Sequence, residues 1–375
     1  MRLLLTADPI GGIWTFAIEL CRNLQHYGVR IALATMGREL SVDQHRAVKR
    51  LPHVRLFESR YRLCWMEDPW DDVTRAGDWL LAVADEFHPD VVHLNDLAHG
   101  GLDWQVPVLL AGHSCVLSWW QAVHGEPAPT SWQRYRDVVQ KSVQRADLVV
   151  APSSAMLSAL LHHYGPLRDA QTVANGLDFP AVVSPGAKAA NAESLILAAG
   201  RLWDMAKNIA LLAAVAEQLD WPVFVAGEMA NAEGGATADT GLHHLGFLRR
   251  EVLSEWLTRT AIFAAPARYE PFGLSIQEAA RAGCALVLGG IASLREIWDD
   301  AAVYVDPDRP EELRLALSGL IDDPVRRHQL ATRARRRALW FTGSRMAAGY
   351  MHCYQKLRAK AGAEMPAGKD QGGGS

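Results

Sequence analysis

The sequence predicts an α/β protein made of two doubly wound halves, and three observations carry that prediction. The opening residues pass from an apolar strand through a glycine loop into a helix-period stretch and then a second strand. The same theme restarts near residue 195, after a stretch rich in Pro, Gly, Ala and Ser. The 375 residues also leave room for two units of roughly 100–200 residues each.

The elements follow in order. Leu3-Leu4-Leu5 forms the first strand, and the loop after it contains Gly11-Gly12. Ile13, Ala17, Leu20, Cys21 and Leu24 then fall on one helical face, Gly28 stops the helix, and Val29–Thr35 is the next strand. Val91–Leu94, Val106–Ala111 and Leu148–Ala151 are short apolar strands among helical stretches at Asp72–Phe87, Trp132–Arg145 and Ser153–Tyr164. Phe179–Ser194 breaks the pattern as an interdomain linker. In the second half, strands are expected at Leu195–Ala199, Val223–Ala226, Ile262–Ala265, Leu286–Leu288 and Ala302–Val305. A helix over Asn208–Leu219 and a last one over Gly343–Ala361 accompany them. The predicted division is therefore a first domain 1–178, linker 179–194, second domain 195–342, terminal helix 343–361 and flexible tail 362–375.

Composition narrows the class. With 49% hydrophobic and 21% charged residues the chain can bury a sizeable core, which excludes a disordered or fibrous protein. A net charge of -4 argues against a nucleic-acid partner. No apolar run approaches the ~18 residues of a membrane span, and the apolar start is too short for a signal peptide. Five scattered cysteines with no C-x-x-C spacing fit a reducing, cytoplasmic setting.

The chemistry concentrates in Arg268–Gly283. A strand enters a Pro-Phe-Gly turn, and a helix starts near Gly273–Ser275, so its unpaired amides can meet phosphate or sugar oxygens. Glu270 precedes the turn, where a carboxylate can accept from sugar hydroxyls, and Glu278 lies one turn inside, within reach of a diol such as a ribose. This E-x7-E pattern resembles glycosyltransferase family 4, and the resemblance extends over nearly the whole chain.

That resemblance implies a GT-B fold, in which two Rossmann-like domains face a central cleft and a C-terminal helix packs back on the first. It implies a nucleoside diphosphate sugar donor, retention of anomeric configuration, and neither metal nor organic cofactor. By resemblance Glu278 holds the donor ribose, Glu270 contacts the transferred sugar, and the amides of Phe272, Gly273 and Leu274 contact sugar and diphosphate. Gly200–Asn208 is similar to the family's Arg/Lys segment, which makes Arg201 and Lys207 the stabilisers of the leaving diphosphate. Only seven of the 38 basic residues are lysines, so a lysine at this place is informative. Gly11-Gly12 resembles the family's N-terminal glycine loop, and Asn175-Gly176-Leu177-Asp178 its domain-closing turn. His244–Leu248 resembles the segment that reads the nucleobase, so Gly246, Phe247 and Leu248 join the donor site. His113 matches a histidine that meets the transferred sugar.

Plainer readings compete at several positions. Gly11-Gly12 alone could be a tight turn or a dinucleotide loop, but the G-x-G-x-x-G fingerprint is absent. Cys115 has no evident catalytic partner and reads as a small buried hydrophobe. Asp306-Pro307-Asp308 has metal-binding spacing yet reads as a turn before a helix starting near Pro310, and the adjacent pairs His162-His163 and His243-His244 show no further ligands, so no metal is expected. The basic stretch Arg326–Arg337 could attract anionic lipid, but acidic neighbours favour a solvated helix face. Trp14, Trp119 and Trp120, which follow the glycine and His113 loops, are candidates to stack on an acceptor.

The sequence thus points to a retaining hexosyltransferase, with a UDP-sugar favoured as donor and an unidentified hydroxyl acceptor. A GT-B sugar phosphorylase, a nucleotide-sugar epimerase and a non-catalytic nucleotide-sugar-binding module are the alternatives. The lead-in Gly290–Arg295 departs from the family's usual glycine-rich approach while Glu296 is retained.

Overall fold

The computed structural model describes residues 1–178, 193–228 and 241–364. Two wholly parallel sheets organise them. The first unit runs β1 (Arg2–Ala7), α1 (Gly12–Leu24), β2 (Arg30–Thr35), α2 (Val42–Lys49), β3 (Val54–Glu58), α3 (Trp70–Phe87) and β4 (Val91–Leu94). It continues through β5 (Val108–Ala111), α4 (Val116–His124), α5 (Gln133–Arg145), β6 (Leu148–Ala151), α6 (Ser154–Tyr164) and β7 (Ala170–Thr172). The second unit contains β8 (Glu193–Ala199), α7 (Ile209–Ala216), β9 (Val223–Ala226), β10 (His243–Gly246), α8 (Arg250–Arg259) and β11 (Thr260–Ala265). After these come α9 (Leu274–Arg281), β12 (Ala285–Gly289), α10 (Ala292–Trp298), β13 (Val303–Val305), α11 (Pro310–Asp322), α12 (Pro324–Ala338) and α13 (Gly343–Glu364).

Strand order is β3-β2-β1-β4-β5-β6-β7 in the first sheet and β10-β9-β8-β11-β12-β13 in the second. Each sheet reverses its winding once, between β1 and β4 and between β8 and β11, the switch points beside which doubly wound folds hold ligands. Leu3 pairs with Ile31 on one side and Val91 on the other, and Ile262 with Ile196 and Ala285. The central strands are mostly apolar because both faces of a parallel sheet are covered by helices, with Thr6, His93 and Thr260 buried among them.

Several boundaries move for local reasons. β5 begins at Val108 rather than Val106, because Pro107 has no N–H for the ladder and contributes only a carbonyl, to Val92. α7 begins after Asn208, whose φ of +58° is not helical and whose amide bonds Pro266 and Pro307 instead. α13 continues to Glu364, three residues beyond the expected end. The edge strands β3 and β7 were not expected, since Arg55, Glu58, Gln171 and Thr172 interrupt any apolar run. Residues 179–192 of the expected linker and 365–375 of the expected tail lie outside the described residues.

α13 returns to the first unit. Met346, Ala347, Tyr350 and Tyr354 are buried against Phe16, Leu20 and Leu24 of α1, and the Tyr354 hydroxyl lies 2.7 Å from His93 Nδ1 on β4. On α12 the apolar residues Leu330, Ala334 and Ala338 face inward. Of its arginines, Arg337 bonds the Ile297 carbonyl at 2.6 Å and Arg327 lies over Trp221, while Arg326 and Arg336 are exposed. Among the described residues no helix is long and apolar enough to cross a membrane, and the five cysteines are buried and form no disulfide.

Candidate active site

The site is built from loops leaving the carboxyl ends of β1, β4 and β5 on one side and β8 and β11 on the other. On the first wall, Asp8 follows β1 and is 8% exposed, and its Oδ1 accepts the Ile10 N–H at 2.8 Å, which shapes the approach to the glycines. Loss of hydration pushes the Asp8 carboxyl from 3.8 to about 7, against the Ile10 bond and the charges of Arg201 and Arg38. Gly11 caps α1 at φ +82° and ψ -143°, a region that L side chains avoid. A Cβ at Gly11 would stand 3.5 Å from Arg201 Nη1, and one at Gly12 would stand 3.8 Å from Leu274 Cδ1. The glycine loop therefore lies directly against Arg201 and Leu274 of the second unit.

His113 follows β5. Asn95, at the end of β4, donates from Nδ2 to the Thr6 carbonyl at 2.6 Å, so its Oδ1 is the atom facing His113 Nε2 at 2.9 Å. The acceptor character of Oδ1 assigns the proton to Nε2 and leaves Nδ1 as an acceptor. Loss of hydration lowers the His113 pKa to about 4, so the ring is neutral at ordinary pH. Phe16 packs edge-on at 4.4 Å and fixes the ring plane.

On the second wall, β8 delivers Arg201, whose Nη2 pairs with Asp204 Oδ2 at 2.8 Å. Asp204 also accepts the Trp119 indole N–H at 2.9 Å across the cleft. Burial opposes ionisation of Asp204, yet Arg201, Lys207 and the Trp119 bond hold its pKa below the usual carboxylate value. Lys207 Nζ lies 2.5 Å from Glu270 Oε2, with both side chains largely buried, which brings together two residues 63 positions apart. Ser293 donates to the Glu270 carbonyl at 2.7 Å and steadies the turn.

Gly273 caps α9 at φ +89°, and the Phe272 ring is buried against Phe341 at 5.4 Å. This left-handed turn presents the first amides of α9 at the mouth of the strand. Glu278 Oε1 accepts from Arg250 Nε at 3.0 Å, and burial pushes its carboxyl upward. Gly246 ends β10 and accepts from the Gly227 N–H at 2.9 Å, after which Phe247 is 70% exposed and Leu248 half-buried.

The tryptophans occupy three different settings. Trp14 is half-buried against the first core, whereas Trp119 has its N–H committed to Asp204. Trp120 packs on His124 at 4.4 Å and leaves its indole nitrogen buried without a partner. Asp306 and Asp308 are paired with Arg309 and Arg268, and among the described residues no three His, Cys, Asp or Glu side chains converge as metal ligands.

Sequence reasoning missed Asp8, Asn95, Asp204, Tyr269 and Arg250. Asp204 lay inside the recognised Gly200–Asn208 segment, and Asp8 and Asn95 at strand ends, but only the fold shows what they touch. Tyr269 closes the domains on one another, since its hydroxyl receives the Cys115 N–H at 3.2 Å and lies 2.8 Å from Ser118 Oγ. Glu296 adds a second clamp by accepting the Ser154 and Ala155 amides of α6 at 2.7 and 2.9 Å. Two cations and a helix start lie beside carboxylates, a combination whose chemistry suits an anion joined to a polyol.

The family model for Glycosyltransferase Family 4 matches residues 10–179, and that for Glycosyl transferases group 1 matches residues 185–337. The chain belongs to glycosyltransferase family 4. This family 4 chain is 26% identical to D-inositol 3-phosphate glycosyltransferase of Kineococcus radiotolerans, over 94% of its own length and 92% of the relative's. Sucrose-phosphate synthase from Thermosynechococcus elongatus superposes with a TM-score of 0.79 at 17% identity, covering 96% of this chain and 100% of the other. Anabaena HepE in complex with UDP and glucose superposes at 0.73 with 17% identity, over 95% and 100% of the two chains. The fold of the family 4 chain is GT-B, and its family membership assigns glycosyl transfer as the activity.

Proposed function

We propose that this glycosyltransferase moves a hexose from a nucleoside diphosphate sugar, with UDP as the favoured carrier, to an acceptor hydroxyl with retention and without a metal or organic cofactor. The observation that carries this reading is the Lys207–Glu270 pair at 2.5 Å, on the same wall as Arg201, whose guanidinium lies against the glycine loop. Arg201, Lys207 and the amides opening α9 neutralise the departing diphosphate, a task given to a bound cation in other transferases. As the bond to the anomeric carbon lengthens, charge develops on the sugar, and Glu270 lies where it can stabilise that oxocarbenium character. The acceptor hydroxyl attacks from the face the diphosphate leaves, and its proton passes to the leaving phosphate. His113 offers a neutral Nδ1 acceptor to a sugar hydroxyl. Glu278 takes the ribose diol, and Gly246, Phe247 and Leu248 line the base. The presence of UDP and glucose in the HepE complex supports the choice of carrier.

The test incubates the protein with UDP-, GDP- and ADP-glucose in a chelator and follows diphosphate release with an acceptor panel. Release from one donor class, lost in Lys207→Ala and Glu278→Ala, is the expected result. An axial product bond from an axial donor, read from the anomeric proton coupling, establishes retention. Release that requires added divalent cation refutes metal independence, and an inverted product refutes the same-face mechanism.

A further inference from the structure

We infer that Arg250 is the positioning residue for Glu278, holding that carboxylate ionised and oriented for the donor ribose while tying it to the first domain through Glu19. The inference rests on the nucleotide-sugar reading above. Arg250 opens α8, four residues after Gly246, and so lies between the segment that lines the base and the helix that carries Glu278. Its Nε lies 3.0 Å from Glu278 Oε1, and its Nη1 reaches Glu19 Oε2 on α1 of the other domain at 3.9 Å. The side chains of Glu19 and Glu278 are 1% and 12% exposed, so two buried carboxylates share one guanidinium across the domain boundary.

Both carboxylates are pushed upward by burial, Arg250 opposes that push at each, and Glu19 adds to it at Glu278. Without this guanidinium Glu19 keeps its ion pair with Arg22 at 2.5 Å, whereas Glu278 is left buried near a like charge, and its favourable response is protonation. That response damages ribose recognition specifically. Both hydroxyls of a cis-diol donate to an ionised carboxylate, whereas a protonated one spends an oxygen as a donor.

Glu19 gives the arrangement a reach beyond the nucleotide. It accepts the Asp178 N–H at 2.9 Å where the chain leaves the first domain, and Asp178 in turn accepts the Gly343 N–H at 3.0 Å where the chain returns. A Cβ at Gly343 would stand 2.7 Å from Glu19 Oε1, so this crossing is packed onto the carboxylate. Arg250 thereby connects the ribose carboxylate to the point where both interdomain passages meet.

The experiment measures binding of UDP, GDP, ADP and inorganic pyrophosphate to the full chain by calorimetry, for the parent protein, Arg250→Gln and Arg250→Lys. The expected result is a loss of roughly tenfold or more in affinity for the best-bound nucleoside diphosphate in Arg250→Gln, with pyrophosphate affinity unchanged within about twofold. Arg250→Lys, which keeps the charge but not the fork, recovers part of the loss. Should Arg250→Gln fail to fold, a smaller nucleotide-only loss in Arg250→Lys makes the same comparison. Equal losses for nucleotide and pyrophosphate, or no loss for either, overturn the inference. A parent protein that binds none of the four probes refutes the nucleotide-sugar reading itself.

Discussion

Replacing Asp8 by Asn is expected to stabilise the protein at alkaline pH and to leave it unchanged in acid. Asp8 is 8% exposed just beyond the carboxyl end of β1, and Asn preserves both its shape and the oxygen that accepts from Ile10. In the unfolded chain the carboxyl ionises near 3.8, in the native protein at about 7. Between those values the native state binds the extra proton, so the stability contributed at this site falls as pH rises from about 4 to about 7. Above that window the full penalty applies. The displacement from 3.8 to about 7, at 1.36 kcal/mol per decade, corresponds to roughly 4 kcal/mol. Chemical denaturation of parent and variant at about pH 4, 6 and 8.5 reads the difference directly, because other titrating groups are common to both proteins. The advantage of Asp8→Asn should be near zero at the lowest pH and grow to several kcal/mol at the highest. A difference that is flat across this range, or a variant weaker at about pH 8.5 than its parent, would refute the assignment of a desolvated carboxyl at Asp8.

Lys207→Met should lower donor turnover by roughly 10²-fold or more while the far-ultraviolet spectrum stays native, since it removes the cation placed 2.5 Å from Glu270; turnover within a few-fold of the parent would remove Lys207 from the chemistry. His113 should remain neutral with its proton on Nε2 from about pH 5.5 upward, as its pKa is lowered to about 4, and ring nitrogen shifts in ¹⁵N-labelled protein report this. An imidazolium signal at about pH 6 would contradict it. Glu296→Gln should lower the melting temperature through about 1 kcal/mol of lost interaction at the α6 amides, and no change would show that the clamp contributes little to stability.

The parts of the molecule that could be read from the chain are those whose physical cause is local. The interior strands β1, β4, β6, β8 and β11 carry apolar runs such as Leu3–Leu5 and Ile262–Ala265 because each is buried on both faces, and that requirement is written into consecutive residues. Edge strands β3 and β7 meet no such requirement, so their charged and polar side chains concealed them. The same division runs through the site. Gly11, Gly273 and the E-x7-E turn are visible because a left-handed cap or a helix start demands a residue type at a fixed place. Proximity has no such local signature. The Lys207–Glu270 pair, the Asp204 bond to Trp119 and the Glu19–Arg250–Glu278 bridge join residues separated by tens to hundreds of positions. The displaced ionisation of Asp8 and His113 likewise arises from lost hydration, which exists only once the walls of the cleft have come together. Order along the chain specifies two doubly wound halves and the residue types of the Pro-Phe-Gly turn with its flanking carboxylates. Tertiary structure alone decided which charges neutralise one another and which groups keep their protons, because both depend on distance and hydration rather than on order along the chain.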